Sequence, residues 1–397
     1  MDGMSDLRHR LRRLRVISER RKPRSPDICR PEPVTVTRYP VDHVHGPHPL
    51  GAWRAMAADA LALVGDDGRL RRAAPEKLAF LDTETTGLSS GVGTLVFMVG
   101  LGRFEGSDFA LHQLFVDDPA NELDMLAALA ALLVGCEGLV TFNGRAFDAP
   151  LLGNRYILAR SPSPLAGLPN LDLLPPSRRL WRRRLDSCAL RALEEAVLGV
   201  EREGDIPSYL IPQVYRDYLA GLDAADPMAR VFEHNRVDVL SLVALGVTLC
   251  RAFTELASPG VVPDDLIGLA RWREVRGDAE ASERIYRAAL EGAEEPPARH
   301  EALMGLSALL KRMDRRREAL SLWEELAAIG LDATGHEELA KHYEWHDRDV
   351  RRALAWVEAA LALARTWRPG VRREEALAAF EWRQARLLRK LGDDEGA

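Results

Sequence analysis

The spacing of apolar positions changes twice along the chain and divides it into three parts. Residues 1–50 are rich in Arg and Pro and hold few core-forming side chains. From about residue 76, apolar runs of strand length alternate with longer runs of helical spacing. After residue 264 the spacing is helical throughout. We therefore predict an N-terminal extension over 1–50, an α/β domain over 51–258 and an all-α domain over 264–397.

The α/β domain begins with three apolar runs separated by short turns, which predict an antiparallel meander. Helices and short strands then alternate until one long helix begins. The predicted strands are Lys77–Asp82, Leu95–Phe104, Phe109–Phe115, Gly138–Phe142 and Leu171–Leu174, and the predicted helices include Asn121–Val134, Phe147–Arg160 and Pro227–Phe253. This order indicates a mixed sheet with helices packed on it.

The C-terminal part contains a weak internal repeat. The pairs Ile285-Tyr286, Leu322-Trp323 and Trp356-Val357 recur at a period of roughly 34 to 37 residues, each shortly after a turn that contains Asp. That period is typical of helix-turn-helix repeats of the tetratricopeptide kind. A plain helical bundle is the alternative, and the pattern leaves it open.

Charge and cysteine content set limits on the function. The formal net charge is −6, so a nucleic-acid binder would need local basic patches. Two runs qualify, Arg8–Lys22 and Arg178–Arg184, although each would look the same as a solvated segment. The four cysteines, Cys29, Cys136, Cys188 and Cys250, contain no Cys-x-x-Cys pair, so neither a zinc site nor a disulfide framework is expected.

No apolar stretch is long enough to span a bilayer, and no apolar signal core follows the basic N-terminus. We therefore expect a cytoplasmic protein without a membrane partner.

The first candidate for chemistry is an Asp-x-Glu sequence at the end of a predicted buried strand. Side chains two residues apart share one face of a strand, so Asp82 and Glu84 should point the same way. Two carboxylates side by side in a core repel each other and lose hydration. A bound divalent cation removes that penalty, and Mg²⁺ prefers oxygen ligands. Because a lone Asp-x-Glu is also common in solvated turns, the motif needs support from elsewhere.

Two further segments carry acids on predicted helices. Asp148 follows the turn at Asn143-Gly144 and falls in the first turn of a helix, where Asp also serves as an ordinary helix cap. His234 and Asp238 lie four residues apart on the long helix and share one of its faces. An exposed His–Asp pair would look the same, so the signal lies in the combination of the three segments.

In combination, the three segments resemble the DEDD family of 3′→5′ exonucleases, whose fold is ribonuclease H-like. That family has Asp-x-Glu on its first strand, Asn-x₃-Phe/Tyr-Asp at a strand-to-helix junction, and Tyr or His shortly before a final Asp on a late helix. The matching residues here are Asp82, Glu84, Asn143, Phe147, Asp148, His234 and Asp238. The resemblance covers about residues 76–252 and implies a ribonuclease H-like mixed sheet with flanking helices, followed here by the all-α helical repeats.

The resemblance narrows to the YprB-type ribonuclease H-like proteins, in which helical repeats often follow the exonuclease domain. The matching segments are Gly93-Thr94 to Gly102, Arg178 to Trp181, Asp205-Ile206-Pro207 and His234 to Leu242. One spacing departs from the DEDD pattern. In the histidine subclass the His precedes the last Asp by five positions, whereas His234 precedes Asp238 by four, the spacing of the tyrosine subclass. His234 is therefore either the base in the tyrosine's place, a residue that only orients water, or a residue without a role.

The resemblance implies a site for two divalent cations, Mg²⁺ or Mn²⁺, roughly 3.5–4 Å apart. Asp82 would bridge both ions, Glu84 and Asp238 would complete the ion on the nucleophile's side, and Asp148 would help to hold the other. His234 would take or orient the proton of the attacking water.

The substrate implied by the resemblance is single-stranded DNA or RNA, shortened to nucleoside 5′-monophosphates. The candidate substrate-binding residues lie after the first strand, at the second motif and in the basic run: Thr85, Thr86, Asn143, Phe147, Arg178, Arg179 and Trp181. The concave face of the helical repeats could hold a protein partner or steer nucleic acid towards the site, and the mixed charge of the repeats favours a protein partner.

Two other functions compete with this one. The run Asp82-Thr83-Glu84-Thr85 suggests an aspartate-nucleophile phosphotransferase, but those enzymes need Asp at the second acidic position. The alternative from another class is a catalytically silent binding module whose repeats recruit a protein, and retention of all four acids argues against it. Metal-dependent release of mononucleotides would separate these functions.

Overall fold

The computed structural model describes residues 32–87, 93–222, 225–255 and 260–395. The chain divides into two compact units. The sheet unit contains the described residues up to Pro175 together with Ala189–Cys250. The helical unit contains Pro176–Cys188 and the described residues from Arg251 onward. The basic run Arg8–Lys22, Cys29 and part of the predicted linker Ser258–Pro263 lie outside the described residues.

The described residues of the sheet unit form one six-stranded sheet and one small hairpin. The strands are β1 Val34–Pro40, β2 Val44–His45, β3 His48–Pro49, β4 Leu78–Thr85, β5 Val96–Glu105, β6 Asp108–Phe115, β7 Gly138–Thr141 and β8 Asn170–Asp172. The large sheet has the order β1-β6-β5-β4-β7-β8, and β2 pairs with β3 in the hairpin. β4, β5 and β6 pair antiparallel, whereas β7 and β8 join β4 in parallel. The predicted antiparallel meander and the mixed sheet are both confirmed.

The prediction that residues 1–50 form an N-terminal extension is wrong for strand β1, which belongs to the main sheet. It pairs antiparallel with β6 along its whole length, from Val34 opposite Leu114 to Pro40 opposite Asp108. Val34 is 43% exposed, as expected at a sheet edge. The sequence carried the signal, because Val-Thr-Val-Thr alternates apolar and polar side chains. The Arg and Pro content around this segment hid it.

Helices cover the sheet and supply the rest of its core. Those that lie at least partly in the sheet unit are α1 Ala58–Gly65, α2 Glu122–Leu132, α3 Asp148–Leu158, α4 Leu174–Trp181, α5 Leu190–Leu193, α6 Ile211–Leu219 and α7 Ala225–Thr254. Buried side chains of β4, β5 and β6 form one cluster with residues of α2, α3, α6 and α7, such as Leu126, Leu151, Tyr215 and Val231. Phe97 stacks on Tyr215 with ring centroids 4.1 Å apart.

Helix α7 lies close to β5 because two glycines of that strand leave room for it. A Cβ atom at Gly100 would lie 2.4 Å from Asn235 Oδ1, and one at Gly102 would lie 2.8 Å from Val239 Cγ1. Both distances are far below van der Waals contact, so only glycine permits this approach. The short separation brings the polar face of α7 to the middle of the sheet.

Within the described residues, α7 is also the one helix long and apolar enough to cross a membrane, but 72% of its most apolar window is buried inside the protein. A long helix whose most apolar stretch is buried in this way is typical of a protein core.

The helical unit consists of consecutive helices that pack on one another. Its helices after α7 are α8 Pro263–Val275, α9 Ala279–Gly292, α10 Pro296–Arg312, α11 Arg316–Ile329, α12 Thr334–Trp345, α13 Val350–Thr366 and α14 Val371–Glu395. Each packs against the next along the chain, and α8 also contacts α10. The recurring pairs of the sequence fall on α9, α11 and α13, where Tyr286, Trp323 and Val357 are buried. The predicted all-α region is confirmed, and its assignment to tetratricopeptide repeats stays a prediction.

Candidate metal centre

Strand β4 carries the first two acids. Its first four residues, Leu78–Leu81, are buried and hold the strand in the core. Asp82 then pairs with Gly100 and Glu84 with Met98 of β5. The register shifts between Glu84 and Thr85, and such bulges re-aim side chains at strand ends. Asp82 and Glu84 therefore share a strand face at the point where regular pairing ends.

Asp148 is the first residue of α3 and is buried. The preceding turn contains Asn143 at φ +64°, a left-handed conformation that Asn tolerates. Asp172, at the end of β8, accepts hydrogen bonds from the backbone N–H of Asn143 at 2.7 Å and of Arg145 at 3.1 Å. Thr83 donates from Oγ1 to Asp148 Oδ1. Asp172 therefore fixes the turn, and Thr83 fixes the carboxylate of Asp148. Sequence analysis identified neither residue as part of the site.

The last two predicted residues come from one face of α7. His234 and Asp238 lie four residues apart, and their nearest side-chain atoms, Nε2 and Oδ2, are 3.5 Å apart. Candidate ligand atoms of Glu84, His234 and Asp238 lie within 4.8 Å of one another. The structure thus brings together residues separated by about 150 positions in the sequence.

The carboxylates destabilise one another's charged forms. Burial raises the pKa of Asp82 well above its usual range, and the nearby Asp238, Glu84 and Asp148 carboxylates raise it further. Burial, followed by Asp238 and Asp148, does the same to the pKa of Glu84. Burial also raises the pKa of Asp148 to about 6, although the hydrogen bond from Thr83 opposes the shift. Oxygen ligands in this state fit a hard divalent cation such as Mg²⁺ or Mn²⁺, which would favour the charged forms.

Arg202 brings a positive charge into this cluster. Its side chain is 5% exposed, and Nη2 donates to Asp238 Oδ1. The same guanidinium binds both oxygens of Glu194, with Nε–Oε2 at 2.7 Å and Nη2–Oε1 at 2.5 Å. Burial by itself lowers the pKa of Arg202, but the Asp238 and Glu194 carboxylates outweigh burial and raise it. Arg202 is therefore charged and held between two acids.

His234 is fixed on both sides of its ring. Its Nδ1 lies 2.8 Å from Asp205 Oδ1 and 3.2 Å from Arg202 Nη1. Its Nε2 lies 3.4 Å from Ser208 Oγ. Asp205 begins the Asp-Ile-Pro segment that the sequence singled out, and the structure places it directly behind the histidine.

Comparison with known proteins agrees with this geometry. Residues 79–250 match the sequence profile of the RNase H superfamily. They form a ribonuclease H-like domain. The matched segment contains all four acids and His234. The chain is also similar to the uncharacterized protein YprB of Bacillus subtilis, with 28% identity over 337 residues that cover 82% of this chain and 79% of that protein. A ribonuclease H-like domain suggests nuclease activity in general, and such nucleases typically use divalent metals.

A second buried contact supports the acids of the ribonuclease H-like domain. Asn235, which is fully buried, donates from Nδ2 to Asp82 Oδ2 at 2.9 Å. Its Oδ1 accepts a hydrogen bond from Gln113 Nε2 at 3.0 Å. Gln113 Nε2 also donates to the Phe232 carbonyl oxygen at 2.7 Å. Asn235 is next to His234 in sequence, but nothing in the local pattern shows that it faces the sheet.

Four of the predicted substrate-binding residues flank the acids of the ribonuclease H-like domain. Thr85 and Thr86 end and follow β4, where Thr85 Oγ1 donates to the Gly87 carbonyl oxygen at 2.7 Å. Thr86 Oγ1 accepts from the Leu95 backbone N–H at 3.0 Å. Asn143 is exposed in the turn before α3, and Phe147 is partly buried against the core. Both precede Asp148 within five residues, so all four remain candidates for substrate contact.

The other three predicted substrate-binding residues lie in the helical unit instead. Trp181 is 2% exposed, so its ring is not available to stack on a base, and that prediction is wrong. A large apolar ring is more stable buried than in contact with water, which accounts for its position. Arg178 and Arg179 belong to the same helix, and the Arg179 guanidinium lies 5.3 Å from the centre of the Trp272 ring.

Acids of α8 neutralise the end of this basic run. Arg183 pairs with Asp264 at 3.3 Å, and Arg184 pairs with the buried Asp265 at 3.2 Å. These contacts explain Arg183 and Arg184, at the end of the run, as part of the packing of the helical unit.

Proposed function

We propose that this chain is a metal-dependent 3′→5′ exonuclease of the DEDD type that hydrolyses the phosphodiester bonds of single-stranded DNA or RNA. One observation carries the proposal. Segments far apart in the sequence bring candidate ligand atoms of Glu84, His234 and Asp238 within 4.8 Å of one another, and the buried carboxylates of Asp82 and Asp148 interact electrostatically with this group. Such a cluster is unfavourable without a cation, and a ribonuclease H-like domain provides the setting in which it has a use.

The four carboxylates are the proposed ligands of two divalent cations, Mg²⁺ or Mn²⁺. Asp82, which interacts with the other three carboxylates, would be one of these ligands. Glu84 and Asp238, which the structure places together, would hold one of them, and Asp148 would help to hold the other. When bound, the ions would lower the pKa of the attacking water and neutralise charge on the departing 3′ oxygen.

His234 is the proposed proton acceptor. Donation from Nδ1–H to Asp205 Oδ1 selects the tautomer whose lone pair is on Nε2. That atom lies on the side of Asp238, where it can take a proton from water activated at the centre. The four-residue spacing between His234 and Asp238 supports this role, because one helical turn brings the two side chains to the same place.

The helical unit is proposed to be a tetratricopeptide-like array that binds a protein partner. Consecutive packing of its helices and the recurring buried positions on α9, α11 and α13 support this assignment. Its surface carries both signs of charge, as in the pairs Arg315–Glu283 and Arg315–Glu318, which suits a protein better than a polyanion.

A catalytically silent nucleic-acid-binding module is the second candidate. The observation that favours it is the contact of Arg202 with Asp238, since an arginine there already neutralises one proposed ligand.

Directional digestion separates the two candidates. Single-stranded RNA and DNA, labelled at the 3′ or 5′ end, are incubated with the protein and Mg²⁺ or Mn²⁺. We expect 3′-labelled substrate to release labelled mononucleotide at once and 5′-labelled substrate to shorten in a ladder. A circular strand should resist, and chelation should stop the reaction. Cuts inside the circle would contradict the exonuclease assignment, and no metal-dependent product from any substrate would favour the silent module.

A further inference from the structure

We propose that Arg202 is a positioning residue of the metal centre, which binds one oxygen of Asp238 so that the other stays beside His234 and available to a cation. The inference rests on the proposed function, because it assumes that Asp238 ligates a cation. It assigns to Arg202 a part in metal binding that the carboxylate pattern alone does not contain. In this role, the contact between Arg202 and Asp238 that favours a silent module is instead part of the metal centre.

The two oxygens of Asp238 have different neighbours. Oδ1 accepts a hydrogen bond from Arg202 Nη2, whereas Oδ2 is the atom that lies 3.5 Å from His234 Nε2. A carboxylate that uses one oxygen for a guanidinium keeps the second for another ligand and cannot rotate freely. Arg202 thereby leaves Oδ2, the oxygen next to His234, available as the ligand atom of Asp238 in its cluster with Glu84 and His234.

Two further carboxylates hold the Arg202 guanidinium in its position beside Asp238. Glu194, which is fully buried, binds it at two points, and Asp205 Oδ2 lies 3.6 Å from its Nη1. Two-point binding fixes both the position and the plane of a guanidinium. Glu194 begins the single π-helical turn Glu194–Leu198, a local geometry that is frequent at functional sites. The arrangement is a chain of alternating charge, from Glu194 through Arg202 to Asp238.

Two effects of opposite sign decide what removal of the guanidinium would do. Its positive charge repels a nearby cation, so its loss would tighten metal binding. Its hydrogen bond orients a ligand, so its loss would weaken metal binding. Because Glu194 already neutralises that charge, the repulsion is small and orientation dominates. Loss of a partner that orients a metal ligand typically costs roughly 10- to 100-fold in affinity.

The test is a titration of the metal-free full-length protein with Mn²⁺, followed by calorimetry, for four proteins: wild type, Arg202→Gln, Arg202→Lys and Arg155→Gln. Arg155 is the matched control, because it forms a partly buried two-point pair with Glu122 in the same sheet unit, about two helical turns after Asp148 on α3. We expect Arg202→Gln to bind Mn²⁺ roughly 10- to 100-fold more weakly. Arg202→Lys should lose less affinity, because an ammonium keeps a hydrogen-bond donor for Asp238 although it loses the two-point contact with Glu194. Arg155→Gln should melt at a lower temperature with unchanged affinity for Mn²⁺.

The alternatives give different results. If Arg202→Gln and Arg202→Lys bind Mn²⁺ as tightly as wild type, Arg202 does not orient Asp238 for metal binding. If they bind it more tightly, Arg202 competes with the cation for Asp238. Either result overturns the proposal. If Arg202→Gln does not fold, the Lys variant alone decides between the same two outcomes. If the wild type binds no Mn²⁺, the proposed function fails first and this inference falls with it.

Discussion

At the residue scale, the acids of the candidate metal centre should make the metal-free protein less stable at neutral pH. Burial raises the pKa of Asp148 to about 6, compared with about 3.9 for an unfolded Asp. The folded state therefore holds its proton more tightly than the unfolded state. The contribution of Asp148 to the free energy of unfolding is fully present below about pH 4. It falls as the pH rises to about 6 and stays low above that pH.

We therefore expect Asp148→Asn to raise the melting temperature of the metal-free protein at pH 7 and to change it little at pH 4. The difference in pKa corresponds to about 2–3 kcal/mol at neutral pH, because the amide cannot ionise. Thermal unfolding at the two pH values measures the effect. An equal gain at both would show that charge is not the cause.

The residues found in the sequence and those missed differ in how their contacts arise. Asp82, Glu84 and the pair His234 and Asp238 follow from local periodicity, because strand and helix geometry decide which side chains share a face. The contacts of Asn235 and Arg202 do not follow from local periodicity. Asn235 meets Asp82 across 153 positions, and Arg202 meets Asp238 across 36 positions from a loop. Such contacts depend on the distance between elements, which no single segment encodes.

At the element scale, the approach of α7 to β5 determines whether the centre forms. The short distance between α7 and β5 buries Asn235, and it also places His234 and Asp238 over the sheet. The sequence predicted both elements with ends close to those observed, and it contained Gly100 and Gly102. Their role became visible only once the neighbouring helix was in place.

Gly100→Ala should therefore disrupt the centre without touching a proposed ligand. The new methyl group would meet the Asn235 side chain and Val239, so α7 must move outward. We expect a loss of about 1–3 kcal/mol in unfolding free energy, together with weaker Mn²⁺ binding. Gly153→Ala on α3 is the control, since a Cβ there meets no atom within 4 Å. Wild-type stability and metal affinity in Gly100→Ala would contradict the proposed closeness.

At the scale of the whole molecule, the chemistry and the C-terminal helices belong to different compact units. All four acids and His234 lie in the sheet unit. Sequence analysis placed a boundary near residue 258, but Pro176–Cys188 belongs with the helical unit. The sequence could not show this, because Arg184 meets Asp265 across 81 positions.

A chain that ends at residue 255 should therefore keep the centre but lose stability. Leu180 and Trp181 would lose the helical core that buries them, so we expect a lower melting temperature and a tendency to aggregate. Mn²⁺ binding and digestion of short oligonucleotides should persist in the soluble fraction. A truncated chain that is soluble and folded yet inactive on them would mean that the helical unit completes the active site.

The most direct test of the whole account is release of mononucleotide from 3′-labelled single strands with Mn²⁺, compared between wild type, Asp82→Ala, Asp238→Ala and Asp124→Ala. Asp124 is an exposed acid on α2 and serves as the control. We predict that Asp82→Ala and Asp238→Ala fall to the rate without enzyme while their far-ultraviolet circular dichroism stays unchanged, and that Asp124→Ala keeps wild-type turnover. Near wild-type turnover in either Asp82→Ala or Asp238→Ala would contradict the assignment of these carboxylates to the metal centre.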